Sequence, residues 1–350
     1  MSESLLTEEY LIAGNELLDS VSVSQKDAEI IMASLLDADL KGINTHGVFR
    51  LPRYMEQLSN GHITAKPEIK AVRSNAIMEV LDGDHGPGSV VAKEAMERAL
   101  QKSRQLGVGV TAVRNGNHFG VAAYYAEMAA MEGKVGIVLT NSSPAIAPTG
   151  SIKRLIGNNP WSISVPHTPH PITLDMANSI SSKGKLRVAM QKGEKIPYGW
   201  ALDSEGNPTD DPQKALEGIV LPIGDYKGYG IALMVEILSG VLTGSDFSES
   251  MVDHDANAKR NVGHLFIVLD VAQLMSLDEY KQRLTILTSA IHSAPRIPGK
   301  HVYLPGEIEW ETKQGQREGE VRVPQKTVQS FIDLCERYGV TPPAVRRETA

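Results

Sequence analysis

The stretch VGVTAVRNGNHFG, residues 108–120, places a short apolar run directly before a polar cluster. The run at 108–113 has the length and the valine content of a β-strand. Amphipathic segments at 89–105 and 121–131 flank it with helical spacing. Short strands that alternate with helices of this length are typical of an α/β fold. We therefore predict an α/β protein.

The segments around this stretch divide the chain into three predicted regions: an N-terminal helical region at 1–70, an α/β core at 71–310, and a C-terminal helical segment at 311–350 that packs back. Ser24 can cap the main N-terminal helix, which is expected to end near Gly42 and to leave 43–49 in a turn. The other predicted strands are 77–81, 135–139, 161–165, 172–174 and 265–269, and the other predicted helices are 229–242, 278–291 and 327–337.

The composition argues against several classes of function. The 350 residues carry a net charge of -7 without a long run of Lys and Arg, so a surface that neutralises nucleic-acid phosphates is not expected. The single cysteine, Cys335, excludes an internal disulfide and a multi-cysteine zinc site. Acidic residues after Met1 argue against a signal peptide, and Glu236 interrupts the longest apolar stretch. We expect a cytoplasmic protein without a membrane span.

Polar residues follow three of the predicted strands, at 114–118, 140–144 and 175–178. In open α/β sheets, ligands bind outside the carboxyl ends of the strands. One such cluster is explained by ordinary loop polarity, because Asn, Ser and Gly are common in turns. Three in one chain predict a ligand site.

The turn after the N-terminal helix combines His46 with Arg50 and Tyr54, and the last two share a face if the chain is helical from Val48 onwards. A histidine can move the proton of a hydroxyl group near neutral pH, and a guanidinium can hold a carboxylate with two hydrogen bonds. These residue types suit a dehydrogenase of 2-hydroxy acids. The alternative is a structural turn histidine followed by a surface arginine.

His118 lies where a predicted strand gives way to a helix, so its ring can face a cleft while the helix N-terminus favours an anion nearby. It is a second acid or base candidate, unless it only caps the helix. The glycine-rich segment 224–230 contains Lys227 and leads into an apolar helix, which is a plausible seat for a diphosphate group. A glycine-rich turn into a buried helix explains the same pattern.

The common nucleotide and metal motifs are absent from the sequence. There is no G-x-G-x-x-G and no P-loop, so a bound dinucleotide would not use a Rossmann motif. The pair His167 and His170 lies in a proline-rich loop without an acidic neighbour, and we expect no metal site. Five further histidines are interpreted as surface or packing residues: His62, His254, His264, His292 and His301.

Five segments in order resemble the malate/L-lactate dehydrogenase family, which is unrelated to the Rossmann-type enzymes and includes ureidoglycolate dehydrogenase, sulfolactate dehydrogenase and 2,3-diketo-L-gulonate reductase. They are Thr45-His46-Gly47 with Arg50 and Tyr54, Asn115-Gly116-Asn117-His118-Phe119-Gly120, Gly157-Asn158-Asn159-Pro160, Leu174-Asp175-Met176-Ala177, and Tyr226-Lys227-Gly228-Tyr229-Gly230. The resemblance covers nearly the whole chain and implies the non-Rossmann fold of that family, with a cofactor- and substrate-binding core, NAD or NADP as cofactor, and a homodimer.

The resemblance also implies roles for individual residues, in agreement with the strand-end clusters. The implied catalytic residues are His46, His118 and Asp175. The implied substrate contacts are Arg50, Tyr54, Asn117, Thr140 and Ser142. The implied cofactor contacts are His118, Asn159, Leu174, Asp175, Met176, Ala177, Tyr226, Lys227, Gly306, Glu307 and Ile308.

The predicted activity is reversible hydride transfer between a nicotinamide and a small 2-hydroxy or 2-keto acid, such as malate, lactate, ureidoglycolate or a diketogulonate-like acid. The chain lacks the longer glycine-rich insertion that the malate-type enzymes have before Lys227, which favours the ureidoglycolate and diketogulonate types over a malate enzyme. The alternatives are a cyclic imino-acid reductase and a non-catalytic dinucleotide-binding protein. Either His46 or His118 can carry the proton; we favour His46, with His118 polarising the substrate.

Overall fold

The computed structural model describes residues 2–252 and 259–346 as a mixed α/β fold, so His254 lies outside the described residues. The strands are β1 (Ser2–Leu6), β2 (Lys70–Ser74), β3 (Met78–Asp82), β4 (Val108–Gly116), β5 (Lys134–Thr140), β6 (Trp161–Val165), β7 (Ile172–Met176), β8 (Ala201–Leu202), β9 (Pro208–Thr209), β10 (Ile219–Val220), β11 (Val262–Asp270), β12 (Glu320–Pro324) and β13 (Val345–Arg346). The helices are α1 (Thr7–Ser20), α2 (Gln25–Leu40), α3 (Leu51–Ser59), α4 (Gly88–Leu106), α5 (Ala122–Met131), α6 (Lys183–Lys192), α7 (Pro212–Glu217), α8 (Tyr226–Glu236), α9 (Leu277–His292), α10 (Glu307–Gln314) and α11 (Gln325–Tyr338).

The central sheet of the described residues contains seven strands in the order β2-β3-β4-β11-β5-β6-β7. The predicted strands that fall in it are confirmed to within a few residues, but β7 is longer than predicted and runs to Met176. Asp175 and Met176 therefore lie inside the strand rather than after it. Their backbone pairs with Ser162 and Trp161, and ladder hydrogen bonds of the backbone form regardless of side-chain polarity.

Helices cover both faces of this sheet. α4 and α5 bury an apolar cluster against one face that includes Tyr125 and Phe266, and α8 contributes Val235 to a cluster with Leu139 and Leu265 on the other. α8 begins at Tyr226, earlier than the predicted start, and continues as a π-helix at Ile237–Val241. Glycine disfavours helix, so the glycine-rich 224–230 segment concealed this first turn in the sequence.

The N-terminal region begins with an unpredicted strand. β1 pairs antiparallel with β12 and with β13, so the segments predicted as helical at 1–70 and 311–350 share a small sheet. Leu5 lies opposite Val321, and no local pattern reveals a partner so far along the chain. The helices themselves are confirmed: Ser24 Oγ caps α2 by accepting from Asp27 N at 3.2 Å, and Gly42 follows its end with a φ of +76°.

Two further corrections concern the region between β7 and β11 and the segment after Leu304. α6, α7 and the short strands β8 to β10 form a small lobe around Leu186 and Ala201, which the sequence pattern did not indicate. α10 was not among the predicted helices, and its N-cap is Gly306, whose φ of +85° is a conformation that favours glycine. The placement of the three region boundaries stays a prediction.

Candidate active site

Three strands of the central sheet end at one edge. β11 lies antiparallel between β4 and β5, and β6 lies antiparallel between β5 and β7. β4, β5 and β7 therefore run in one direction, and the polar clusters predicted at 114–118, 140–144 and 175–178 meet at a common edge. The rule that ligands bind outside the carboxyl ends of parallel strands applies here to alternate strands of a largely antiparallel sheet.

The structure brings the two predicted histidines together at this edge. His46 lies in the turn after α2, and His118 lies two residues after the end of β4. The two imidazole rings stack with centroids 5.6 Å apart. Both line a cavity of about 580 Å³, together with Arg50, Thr140 and Ser142. Five of the predicted catalytic and substrate-binding residues thus face one space.

Tyr54 of α3 fixes the ring of His118. Its hydroxyl lies 2.6 Å from His118 Nδ1, and burial raises the pKa of Tyr54 well above the ordinary value, so the phenol keeps its proton and donates it to this hydrogen bond. A neutral His118 then carries its own proton on Nε2. Tyr54 acts on the site through His118, while its predicted direct contact with substrate stays a prediction.

Both histidines are neutral at physiological pH. Loss of hydration and the positive charge of Arg50 lower the pKa of His46 to about 4. The same two causes, with a further contribution from His46, hold the pKa of His118 well below its ordinary value. Both rings border the open cleft, so water still reaches them until a ligand covers the site.

Arg50 is held by its own turn. It closes a 3-10 turn at Val48–Arg50, and its Nε donates to the carbonyl oxygen of Thr45 at 2.7 Å. Thr45 Oγ1 in turn lies 3.0 Å from His46 Nδ1. The guanidinium and the imidazole are therefore oriented by one short segment, with the guanidinium on the cavity wall.

Buried side chains support the cavity from behind. Asn117 is 3% exposed and its amide donates to the carbonyl oxygens of His85 and Gly86, so it holds the loop that carries His118. Thr140 Oγ1 lies 2.7 Å from Nδ1 of the fully buried His264. The interpretation of His264 as a packing residue is confirmed, and the substrate contacts implied for Asn117 and Thr140 stay predictions.

Ser142 is positioned by two neighbouring amides. Its hydroxyl donates to Asn158 Oδ1 at 2.7 Å, and its backbone N-H donates to Asn159 Oδ1 at 3.0 Å. Asn159 is fully buried and also donates to the carbonyl oxygen of Ala232 and to the carboxylate of Glu236. In this structure Asn159 serves the geometry of Ser142, and a cofactor contact for it stays a prediction.

Asp175 is hydrogen-bonded to the first turn of α5. Its carboxylate accepts from the backbone N-H of Ala123 in the first turn of α5 at 2.8 Å, and no imidazole bonds to it among residues 2–252 and 259–346. Lost hydration raises the pKa of Asp175 to about 6, and Glu127 adds to this shift. Asp175 therefore caps a helix, and the catalytic role and the cofactor contact implied for it stay predictions.

The other segments predicted to bind cofactor surround β7. Gly306 packs so closely that a Cβ there would lie 3.1 Å from the carbonyl oxygen of Thr173, and Ile223, just before α8, bonds to the carbonyl oxygen of Asn178. None of these segments lines the histidine cavity. The residues concerned are Leu174, Asp175, Met176 and Ala177 around the end of β7, Tyr226 and Lys227 in the first turn of α8, and Gly306, Glu307 and Ile308 at the start of α10.

These residues fit a dinucleotide. Lys227 is exposed at the N-terminus of α8, where a cation and the free N-H groups of the helix favour a diphosphate. Tyr226 is 64% exposed and Ile308 is 54% exposed, so both offer surface that a ligand can cover. Glu307 is already engaged, because its carboxylate accepts from Leu304 N and lies 3.1 Å from His292 Nε2.

The sequence did not reveal the positive charge of the cavity. Arg187 of α6 and the neighbouring Lys259 and Arg260 line it together with Arg50, whereas Asp246 is the one carboxylate among its described lining residues. No spacing connects α6 with the turn after α2, so only the folded chain shows these groups on one wall.

The comparisons identify the family. The family model described as malate/L-lactate dehydrogenase matches residues 8–331. The chain belongs to this family. The resemblance carried by the five segments is confirmed, and so is the classification as an oxidoreductase of the hydroxy-acid dehydrogenase class.

Three relatives show the range within the family. The L-sulfolactate dehydrogenase of Methanocaldococcus jannaschii is 38% identical over 327 residues, which are 93% of this chain and 94% of that protein; its solved structure has a TM-score of 0.90 at 37% identity and covers 97% of this chain and 98% of its own. The malate dehydrogenase of Pyrococcus horikoshii is 37% identical over 333 residues, 93% of this chain and 92% of the relative. An Escherichia coli K12 ureidoglycolate dehydrogenase is 33% identical over 295 residues, 83% and 84% of the two chains.

The identity to the sulfolactate and malate enzymes is 38% and 37%, against 33% for the ureidoglycolate enzyme, and the subtype favoured by the absent insertion before Lys227 stays a prediction. Relatives in the family are named for NAD and for NADP. Within the described part of the chain, no cluster of His, Cys, Asp or Glu is arranged to hold a metal ion. None of the described helices is long and apolar enough to cross a membrane.

Proposed function

We propose that this protein is an NAD- or NADP-dependent dehydrogenase of a 2-hydroxy acid that carries a second acidic group. One observation carries the proposal: two neutral histidines and an oriented arginine share one cavity whose wall holds further cations. Bound NAD or NADP supplies or accepts the hydride through its nicotinamide. A cytoplasmic location stays a prediction.

The residues of the cavity divide the remaining work. Arg50 grips the carboxylate of the substrate with two charge-assisted hydrogen bonds and so orients its second carbon. His118 donates a hydrogen bond from Nε2 to the oxygen on that carbon, because Tyr54 occupies Nδ1. His46 gives a proton to this oxygen when a keto acid is reduced and removes the proton when the hydroxy acid is oxidised.

Substrate binding tunes His46 for this task. Arg50 lowers the pKa of His46 in the free protein, and a carboxylate paired with Arg50 cancels that charge. A bound acid therefore raises the pKa of His46 from about 4 by removing the effect of Arg50, while burial, the larger cause, still lowers it. A proton donor with a pKa near the working pH is the most effective one.

The cations beyond Arg50 support a second acidic group on the substrate. Arg187 lies on the helix that borders the cavity, and Lys259 lines the same space while its Nζ bonds to Thr64 Oγ1 at 3.0 Å. A second carboxylate or a sulfonate would find opposite charge there, whereas a monoacid such as lactate has no second anionic group to interact with these cations.

A screen with both reduced cofactors tests the proposed function. We would follow nicotinamide absorbance with oxaloacetate, sulfopyruvate, pyruvate and cyclic imino acids. The expected result is turnover of a diacid with a kcat/KM at least about tenfold above that of pyruvate, the value of one charge-assisted hydrogen bond. Cofactor binding without turnover of any acid would support a non-catalytic protein, and preference for an imino acid would support a reductase.

The substitution Arg187→Met sharpens this screen. It should reduce kcat/KM for the diacid about tenfold or more and leave that for pyruvate unchanged, because only the diacid reaches Arg187. Lys185→Met is the matched control, since it removes a cation from the same helix at a residue that does not line the cavity. Equal losses of kcat/KM for the diacid and for pyruvate would contradict a role of Arg187 in recognition of the second acidic group.

We also propose that the functional unit is a homodimer formed through α8 and the π-helix that follows it. The side of this helix that faces the protein is of mixed polarity, with Val235 3%, Glu236 4% and Ser239 0% exposed. Its outer side is apolar, with Met234 51%, Val241 49% and Leu242 64% exposed. A helix with its apolar face towards solvent needs a covering surface, and the same face of a second copy supplies one by symmetry.

Light scattering during size exclusion tests the homodimer. The wild-type chain should elute at twice the mass calculated from its sequence, and Leu242→Glu should convert it to a monomer by placing a charge in the apolar contact. Met78→Glu, which adds the same charge at an exposed residue of β3, should leave the dimer intact. A monomeric wild-type chain would refute the proposal.

A further inference from the structure

A carboxyl group without a cation lies beneath the turn that carries His46. Asp39 is fully buried at the end of α2, and one of its oxygens, Oδ2, accepts from Tyr10 Oη at 2.9 Å and from Val48 N at 2.8 Å. The other oxygen, Oδ1, has no hydrogen-bond partner among the described residues. A buried carboxyl with half of its capacity unused destabilises a fold, so its presence calls for a role.

The chain passes directly over this carboxyl. A Cβ on Gly47 would lie only 1.9 Å from Asp39 Oδ1, which means that no residue larger than glycine fits while Asp39 keeps its place. The φ of Gly47 is -83°, outside the left-handed region, and the contact with Asp39 Oδ1 by itself leaves no space for a side chain. Asp39 and Gly47 therefore form a matched pair between α2 and the turn.

The hydrogen bond from Val48 N to Asp39 links the carboxyl to the turn that carries His46 and Arg50. Val48 begins the 3-10 turn that Arg50 completes, and Arg50 N donates to the carbonyl oxygen of Gly47 at 2.9 Å. His46 directly precedes Gly47, which packs against the carboxyl of Asp39. A shift of Asp39 would move the imidazole and the guanidinium together.

We propose that Asp39 is a positioning residue that sets the height of the turn and so aligns His46 and Arg50 with the substrate. The inference rests on the proposed function for its kinetic consequence, but the placement of the turn is independent of it. Tyr10 is the one titratable side chain of the described residues that interacts with Asp39 in this contact, and its own pKa is raised well above the ordinary value by burial. Tyr10 therefore stays a donor throughout the accessible pH range.

Titration of Asp39 gives the proposal a signature that a merely structural role would lack. Burial raises the pKa of Asp39 to about 7. The ionised carboxylate accepts from Val48 N more strongly than the neutral acid, because charge-assisted hydrogen bonds are the stronger ones. The KM for the acid substrate should therefore rise as the pH falls through about 7.

Steady-state kinetics of three variants test the kinetic part. Asp39→Ala should raise KM for the acid and lower kcat, each by about tenfold or more, since small misplacements of reacting groups have effects of this order. Asp39→Asn keeps an oxygen for Tyr10 and Val48, so it should restore most of the activity while removing the pH dependence of KM. Asp19→Asn, the same change at an exposed residue of α1, should have no effect.

NMR of chains labelled with 13C-histidine separates failure of this inference from failure of the proposed function. The imidazole resonance of His46, assigned by its loss in His46→Ala, should shift in Asp39→Ala and not in Asp19→Asn, whether or not any acid is turned over. If Asp39→Ala does not fold, Tyr10→Phe removes one bond to the carboxyl and should shift the same resonance. An unmoved resonance with unchanged KM in folded variants would overturn the proposal.

Discussion

The proposed substrate side and the proposed cofactor side of this site are built differently. The substrate side, formed by His46, Arg50, His118 and Ser142, is a cavity wall whose groups are already bonded to their neighbours. The cofactor side consists of the end of β7, the first turn of α8 and the start of α10, with Lys227 exposed and bound to no partner among the described residues. In the proposed function, recognition of the acid is preorganised, whereas recognition of the cofactor depends on surface that the ligand itself covers.

The largest effect that this contrast predicts is on proton transfer. His46→Ala should lower kcat by about a thousandfold, within the range for loss of a general acid, while the dissociation constant of the reduced cofactor stays unchanged. A pH-rate profile should lose its titration in His46→Ala and keep it in His118→Ala. If only the His118 change removed the titration, the two histidines would have to exchange roles.

The second-largest effect concerns the hydrogen bonds between Arg50 and the carboxylate of the substrate. Arg50→Met should reduce kcat/KM for every acid substrate by about a hundredfold, mainly through KM, because two charge-assisted hydrogen bonds are lost. It should also raise the pKa of the imidazole of His46 towards its ordinary value, since the repelling charge is gone. NMR titration measures the second effect, and an unchanged KM would remove Arg50 from the substrate side.

A smaller effect is expected on the cofactor side, where cofactor binding changes and KM for the acid does not. Lys227→Met should weaken binding of reduced cofactor about tenfold, measured by nicotinamide fluorescence, and the loss should shrink at high salt because the exposed charge is screened. KM for the acid should change little at saturating cofactor. Lys185→Met is the control, and an equal loss there would assign the effect to general charge.

The smallest effect is on stability. The pKa of Asp39 is raised to about 7 in the folded chain, so the fold prefers the protonated form and loses stability as the pH rises from about 4 through 7. Asp39→Asn lacks this loss, and its melting temperature relative to the wild type should be higher by a few degrees at pH 8 than at pH 5.5. Thermal melts by circular dichroism measure it, and an equal difference at both pH values would contradict the shift.

Local pattern was sufficient for the elements nearest the chemistry. The helix that ends before Gly42, the strand at 108–113 and the helix after His118 all follow from periodicity and capping, because each signal lies within about fifteen residues. Five ordered segments then identified the family and its candidate residues. The order of these segments along the chain is read from the sequence without any structure, and it was enough to indicate the family.

Tertiary structure decided what depends on distant partners. The strand β1 forms only because β12 and β13 pair with it, and Asp175 became a helix cap because α5 begins beside the end of β7. The cations around Arg50 and the carboxyl of Asp39 beneath Gly47 come from segments that share no periodicity. Sequence patterns report which face of an element is apolar, whereas the contacts between elements arise from packing, which no local signal encodes.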